Sequence, residues 1–306
     1  MKPAPFKSGY VAVLGKPNVG KSTLLNFFLK EKLSIVSSKP QTTRSNFLGI
    51  LTTAHYQIIF IDTPGLHKPK TLLGRYMTAQ ARQAVKDADE IIVIVDAASG
   101  IRDEDLRLFD YLRLQIQGSA GRSPQVLVLI NKTDLVSQKS ILPLVEICRK
   151  NFPAAQYMPV SAKTGANMEL VLKKIVEFLS PGPAYYPRQQ LSDENERDIA
   201  AELIREKVLE FCRHEVPHAV AVELIEFKDN PPRKVLICAN IFVEKKSQKK
   251  IIIGKEAQML KKIGRAARLE LERFLGREVY LELWVKVGPN WRQDKNFLRR
   301  LGYDNN

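Results

Sequence analysis

Four short apolar runs, YVAVLG, YQIIFID, EIIVIVD and QVLVLIN, recur along the first half of the chain, with amphipathic stretches of helical length among them. The runs are apolar along most of their length, as strands covered on both faces must be. They predict an α/β architecture from Gly9 to about Ser180, a mostly parallel sheet with helices on both faces. Several runs end in Gly, Asp or Asn, where the chain turns, and ligands of such sheets sit beyond the carboxyl ends of the strands. The segment SPGPAYYP, residues 180 to 187, carries three prolines in eight positions. It can continue neither a helix nor a sheet ladder. The expected organisation is a first domain over 1–180, a proline-rich linker over 181–188 and a second domain over 189–306.

Beyond that boundary the pattern changes. From Asp193 to His214, Ile199, Leu203, Ile204, Val208 and Phe211 mark one face of a long amphipathic helix. Two strand candidates follow, AVAVELIEF and VLICANIFV, then a basic loop, KKSQKKIIIGKEA, two helical stretches and the alternating strand VYLELWVKV. The order α-β-β-α-α-β predicts a compact α+β domain. In the last strand Val279, Leu281, Leu283, Val285 and Val287 form the expected core face. Tyr280, Glu282, Trp284 and Lys286 lie opposite, which leaves Trp284 either to pack or to stack on a base.

Charge sharpens the picture. Lysine and arginine number 48 against 33 acids, a net +15 that favours polyanionic partners. Residues 233–268 hold eleven basic residues and two acids, Glu244 and Glu256, so the basic density peaks there. Cys148, Cys212 and Cys238 are too few and too widely spaced for a disulfide framework or a zinc site, and read as small core residues of a reducing compartment. No stretch of 18 apolar residues occurs, and nothing at the N-terminus reads as an export signal.

The candidate chemistry lies at the strand ends. GKPNVGKS, residues 15 to 22, fits G-x-x-x-x-G-K-[ST] between a strand and a helix, the context that makes this pattern a phosphate loop. Gly15 and Gly20 let the backbone curl around phosphate oxygens from Lys16 through Pro17, Asn18 and Val19 to the helix start at Thr23, with N–H groups from all of these but Pro17. Lys21 brings a point charge and Ser22 a hydroxyl ligand for Mg²⁺, and the helix N-terminus adds partial positive charge. In DTPG, Asp62 is expected to hold the metal through water and Gly65 to offer its N–H to a γ-phosphate, with Thr63 and Pro64 also counted among the nucleotide-binding residues. NKTD selects the base. Asp134 can accept from N1–H and the 2-amino group of guanine, and adenine offers neither, so GTP and GDP are expected over ATP. Asn131 and Lys132 would brace the loops and cover the base, and Ser161-Ala162-Lys163 would bring the Ala162 N–H to the guanine oxygen.

Hydrolysis requires more. Thr43, in the polar stretch KLSIVSSKPQTTRS, is expected to join Ser22 and Asp62 around Mg²⁺ when a γ-phosphate is present. Loss of that phosphate would release this stretch and the one after DTPG. Many GTPases place a water-orienting glutamine directly after DxxG, and here that position is Leu66. His67 and Lys68 read as parts of a solvated switch segment, and neither is assigned as a base. Asn18 offers a side-chain oxygen at the phosphate edge for a K⁺ ion, which would take the charge-neutralising place of an arginine finger. Lys21, Thr43, Gly65 and Asn18 are therefore the expected catalytic group, and hydrolysis is expected to be slow and K⁺-stimulated.

IIIGKEA followed by QMLKKIG resembles the I-G-x-x-G loop of a KH domain, in which two helices clamp nucleotides by their backbone. The element order matches the variant with its extra helix and strand before the core, type II. Ala257 takes the second glycine position, adding a methyl group where phosphate approaches. GKPNVGKS, PQTTR, DTPG, NKTD and SAK, followed by IIIGKEA, LELWVKV and a terminal LGY, together resemble the Era family of ribosome-associated GTPases over residues 8 to 303. That resemblance implies a monomeric cytoplasmic GTPase that binds near the 3′ end of 16S ribosomal RNA and assists small (30S) ribosomal subunit assembly. It also implies RNA contacts at Gly254 and Lys255, with Lys249, Lys250, Lys261 and Lys262 around them. The alternatives are a constitutive RNA-binding assembly factor with a structural nucleotide and, ranked last, a peripheral membrane signalling GTPase, weak peripheral membrane association being the partner expected there.

Overall fold

The computed structural model describes residues 5–35, 39, 42–65, 69–117, 123–212, 216–229 and 234–303. Leu66, His67 and Lys68, and Val36–Ser38, Pro40 and Gln41 of the polar stretch, lie outside the described residues. The chain divides into two compact units. Met1–Ser34, Thr43–Lys68 and Met77–Asp193 make the first, and Ile35–Thr42, Pro69–Tyr76 and Glu194–Asn306 the second.

The first unit runs β1 (Lys7–Gly15), α1 (Lys21–Leu29), β2 (Phe47–Thr52), β3 (Tyr56–Asp62), α2 (Leu72–Asp87, whose residues up to Tyr76 fall in the second unit), β4 (Glu90–Asp96), α3 (Asp103–Gln117), β5 (Gln125–Asn131), α4 (Gln138–Asn151), β6 (Gln156–Pro159) and α5 (Met168–Phe178). The strands form one sheet in the order β2-β3-β1-β4-β5-β6, parallel throughout except for the antiparallel pair β2–β3. The β-branched runs are the reason. Val11 to Leu14, Ile58 to Phe60 and Ile91 to Val95 are buried, as strands covered on both faces require. On one face Leu14, Val93, Val128 and Ile130 pack with Phe109, Leu112, Cys148 and Phe152 of the covering helices and the turn after α4. On the other, Ala12 and Ile61 meet Ala84. The chain leaves β1 through α1 toward β2 and β3 on one side and returns from β3 through α2 to β4 on the other, so the loop after β1 opens at the crevice where strand order reverses.

The proline-rich segment continues no ladder, yet it makes one isolated bridge to the start of β1. Pro181 bridges to Lys7, and the bonds are Ser8 N–H to Ser180 O (3.2 Å) and Gly182 N–H to Phe6 O (3.0 Å). The neighbours of Pro181 supply both bonds, so its missing N–H costs nothing. Gln57, fully buried on β3, then fixes the chain from both ends of its amide. Nε2 donates to Tyr186 O (2.8 Å) and Thr52 Oγ1 (2.9 Å), and Oε1 accepts from the N–H groups of Tyr185 and Tyr186. Further on, Ile50 N–H donates to Leu191 O at 2.8 Å.

The second unit contains α6 (Glu196–Phe211), α7 (Val216–Ala219), β7 (Ala221–Lys228), β8 (Val235–Val243), α8 (Lys246–Ile253), α9 (Gln258–Leu275), β9 (Val279–Val287) and α10 (Lys295–Arg300). The long helix begins later than its apolar pattern suggests because Asn195 caps it, its side chain accepting from Asp198 N–H at 2.9 Å. The sheet order is β7-β8-β9, with β7 antiparallel and β9 parallel to β8. Val208, Ile241, Val243, Ile252, Ile263 and Val285 form its core. Trp284 stays 44% exposed and does not pack into that core, whereas Trp291 is fully buried with its indole N–H on Ala219 O (2.8 Å). Within this unit Arg205, buried in α6 and paired with Glu202, also donates to the Thr42 carbonyl, and Gln293 Oε1 accepts from Leu72 N–H at 3.1 Å.

Candidate nucleotide-binding site and nucleic-acid loop

The turn from β1 into α1 needs its glycines. Gly15 and Gly20 have φ of 147° and 107°. A Cβ on Gly15 would lie 2.5 Å from Ile94 O, and one on Gly20 2.3 Å from Asn131 Nδ2. Lys21 Nζ, at the head of α1, donates to Gly15 O (3.1 Å) and Lys16 O (3.0 Å), folding the loop around its own ammonium. Burial pushes that ammonium down to about 8, against the pull of Asp62. Polyphosphate oxygens would supply the missing countercharge.

Lys16 behaves differently from its neighbours. Its side chain is buried and pairs with Asp105 Oδ2 of α3 at 2.6 Å, so only its main chain is left to line the loop. Asn18 holds a left-handed φ of 65° in the loop.

At the end of β3 the Asp62 carboxylate is fully buried, and its Oδ2 accepts from Ser22 Oγ at 2.8 Å. Ser22 Oγ lies 3.3 Å from Thr43 Oγ1. Burial raises the Asp62 carboxyl, opposed by Lys21 and by the Ser34, Ser22 and Thr43 hydroxyls. Asp62 Oδ1 is buried and has no hydrogen-bond partner among the described residues. An orphaned carboxylate oxygen beside two hydroxyls is an all-oxygen donor set of the kind Mg²⁺ takes, so these residues fit the expected ion. Gly65 lies so close to the loop that an added Cβ would be 2.9 Å from Pro17 Cδ and N.

The corner expected to read the base is tied together by Asn131. Its Nδ2 donates to Val19 O (2.7 Å) and its Oδ1 accepts from Ala162 N–H (2.9 Å), joining the ends of β5 and β6 to the phosphate loop. Ala162 thus commits in this structure the N–H expected to meet the guanine oxygen, which must be shared when a base is present. Ser161 Oγ donates to Asp134 Oδ1 at 2.7 Å and so orients the carboxylate. Lys132, with φ 66°, pairs with Asp96 at the end of β4 (2.7 Å). Asp96 and Asp105 carry no motif of their own. The strand-terminal Asp of EIIVIVD was the one available signal.

In the second unit, Gly254 (φ 71°, ψ 179°) closes α8, and Glu256 (φ 50°) and Ala257 (φ 59°) lead into α9. The alanine that replaces the second glycine therefore sits in left-handed, not right-handed, backbone, where a Cβ is strained. Lys250, Lys255 and Lys261 are exposed around the loop and Lys249 is half-buried. Lys262 lies over the Phe211 ring, 4.6 Å from its centroid, so part of its charge is turned to α6.

Two family models match the chain: a 50S ribosome-binding GTPase model over residues 10–132 and a KH domain model over 215–292. GTPase Era of Caldanaerobacter subterraneus subsp. tengcongensis is 45% identical over 299 residues, covering 97% of this chain and 98% of its own. This chain belongs to the Era family of GTPases. The Era of Clostridium perfringens is 43% identical over 97% of this chain and 98% of its own. Two solved Era structures superpose on nearly the whole chain, each covering 97% of it and 99% of their own. One is an Aquifex aeolicus Era variant bound to GDP and AlF4⁻ (TM-score 0.92, 42% identity). The other is Era in complex with MgGDPNP and nucleotides 1506–1542 of 16S ribosomal RNA (TM-score 0.91, 43% identity). The first unit is accordingly an Era-type G domain and the second contains a KH domain, the α/β plus α+β architecture that the apolar patterns predicted.

Proposed function

We propose that this chain is a GTP-hydrolysing switch that binds the 3′ region of 16S ribosomal RNA through its KH domain and assists assembly of the small ribosomal subunit in the cytoplasm, as a monomer. The observation that carries the reading is the convergence of Lys21, Ser22, Thr43 and Asp62 at one end of the sheet, with Asp134 oriented by Ser161. The Era complex with MgGDPNP and a 16S fragment supports the partner.

In this reading the loop from Gly15 to Thr23, the DTPG turn, Asn131, Lys132, Asp134 and Ser161–Lys163 hold the nucleotide. Ser22, Thr43 and, through water, Asp62 hold Mg²⁺, which when bound neutralises charge developing on the transferred phosphoryl oxygens. Lys21 orients the β- and γ-phosphates, and Gly65 N–H marks the γ-position. Asn18 contributes a ligand to a K⁺ ion, and turnover in K⁺ exceeds that in Na⁺; equal rates remove this ion from the account. Gly254, Lys255, Lys249, Lys250, Lys261 and Lys262 contact the RNA backbone. The functional domains are 1–180 and 189–306, joined by 181–188.

Nucleotide state is coupled to RNA binding in this reading. Crosslinking the full chain to total cellular RNA with GTP analogue and with GDP tests the function. Contacts mapping to the 16S 3′ region and strengthened by the analogue are expected. Contacts spread over unrelated RNAs would overturn it.

A further inference from the structure

A third hydroxyl reaches the metal-facing carboxylate, and no sequence motif marks it. Ser34 Oγ donates to Asp62 Oδ2 at 2.7 Å, as short as the bond from Ser22, and Ser34 is only 5% exposed. Its position is enforced by Asn26 of α1. Asn26 Nδ2 donates to Ser34 O (2.6 Å), and its Oδ1 accepts from Leu33 N–H (3.2 Å) and Ser34 N–H (2.9 Å). One amide side chain thus satisfies three main-chain groups and clamps the strand of chain that enters the polar segment before Thr43.

Two donors approaching one carboxylate oxygen from different elements fix the rotation about the Cβ–Cγ bond of Asp62. Ser22 alone would leave that torsion a range of settings, because its own hydroxyl must also serve the cation. With Oδ2 occupied by Ser22 and Ser34, Oδ1 is left buried and unpartnered among the described residues, a carboxylate oxygen still open to a metal-bound water. We infer that Ser34, held by Asn26, is a positioning residue that locks the Asp62 carboxylate in its metal-holding orientation, so that divalent-cation affinity depends on how the chain enters the polar segment. The inference rests on the Mg²⁺ site proposed above and adds two residues to it. Outer contacts of this kind tune a metal site without touching the ion.

The test is a Mg²⁺ titration of the full chain carrying a fluorescent GTP analogue, read as retention of the nucleotide, with nucleotide affinity in EDTA measured in parallel. Ser34→Ala and Asn26→Ala are each expected to raise the Mg²⁺ midpoint about tenfold or more, with nucleotide affinity in EDTA within twofold of the parent. Ser34→Thr, which keeps the hydroxyl, should restore the parent midpoint. The inference is overturned if both alanine variants keep the parent midpoint, or if affinity in EDTA falls by the same factor as in Mg²⁺, since the clamp would then shape the loop and not the carboxylate. Failure of the unsubstituted protein to show any Mg²⁺-dependent retention would instead count against the nucleotide site itself.

Discussion

Asp134 is a single carboxylate with a large consequence, because Ser161 holds one of its oxygens and leaves the group aimed rather than free to rotate. Asp134→Asn should weaken GTP by roughly a hundredfold or more and improve xanthosine triphosphate, whose 2-carbonyl can accept from the new amide. A competition assay against both nucleotides reads the exchange of preference, and an unchanged preference would refute the guanine assignment. Ala257 carries the opposite kind of expectation. Its φ of 59° strains an L-residue, and relief of that strain exceeds the entropy that glycine adds to the unfolded chain. Ala257→Gly should raise stability by about 0.5–1 kcal/mol in a denaturant titration and also tighten RNA binding, since it removes the methyl group from the loop. The three cysteines differ only in degree. Burial raises the thiols of Cys148, to about 12, and Cys212, to about 11, so almost no thiolate exists at pH 8. Neither should react with a disulfide reagent until the chain unfolds, and rapid labelling of the native protein would contradict their placement.

Elements here are held by polar groups that periodicity does not register. The apolar runs foretold the parallel sheet because burial on both faces leaves a continuous hydrophobic signature, and β8 and β9 span the stretches VLICANIFV and VYLELWVKV. The phosphate loop, DTPG and NKTD were legible because their chemistry demands fixed residues at fixed spacing. The bracing was not. Asp105 lies 89 positions from Lys16, and only folding reveals that α3 carries a countercharge for the phosphate loop. Gln57 likewise reads as one polar residue in an apolar strand, yet it accounts for four hydrogen bonds to its surroundings. Asp105→Ala should cost about 3 kcal/mol, because it strands a buried ammonium, whereas the double change Lys16→Met with Asp105→Leu should restore most of the loss. Denaturation midpoints of the three proteins decide this, and a double variant as unstable as the single one would contradict the ion-pair explanation.

In the molecule as a whole, an Era-type G domain and a KH domain share one chain, and the family relation spans nearly all of it. The basic cluster around residues 233–268 and the exposed lysines beside Gly254 suit a phosphate backbone, while the G domain supplies a site that distinguishes GTP from GDP only if Thr43 and Gly65 respond to the γ-phosphate. The most direct measurement is the affinity of the full chain for a 16S 3′-terminal RNA in Mg²⁺ with a non-hydrolysable GTP analogue and with GDP, at one salt concentration. The account predicts at least tenfold tighter binding with the analogue. Equal affinity in the two states would contradict it and leave a constitutive RNA-binding protein whose nucleotide only supports the fold.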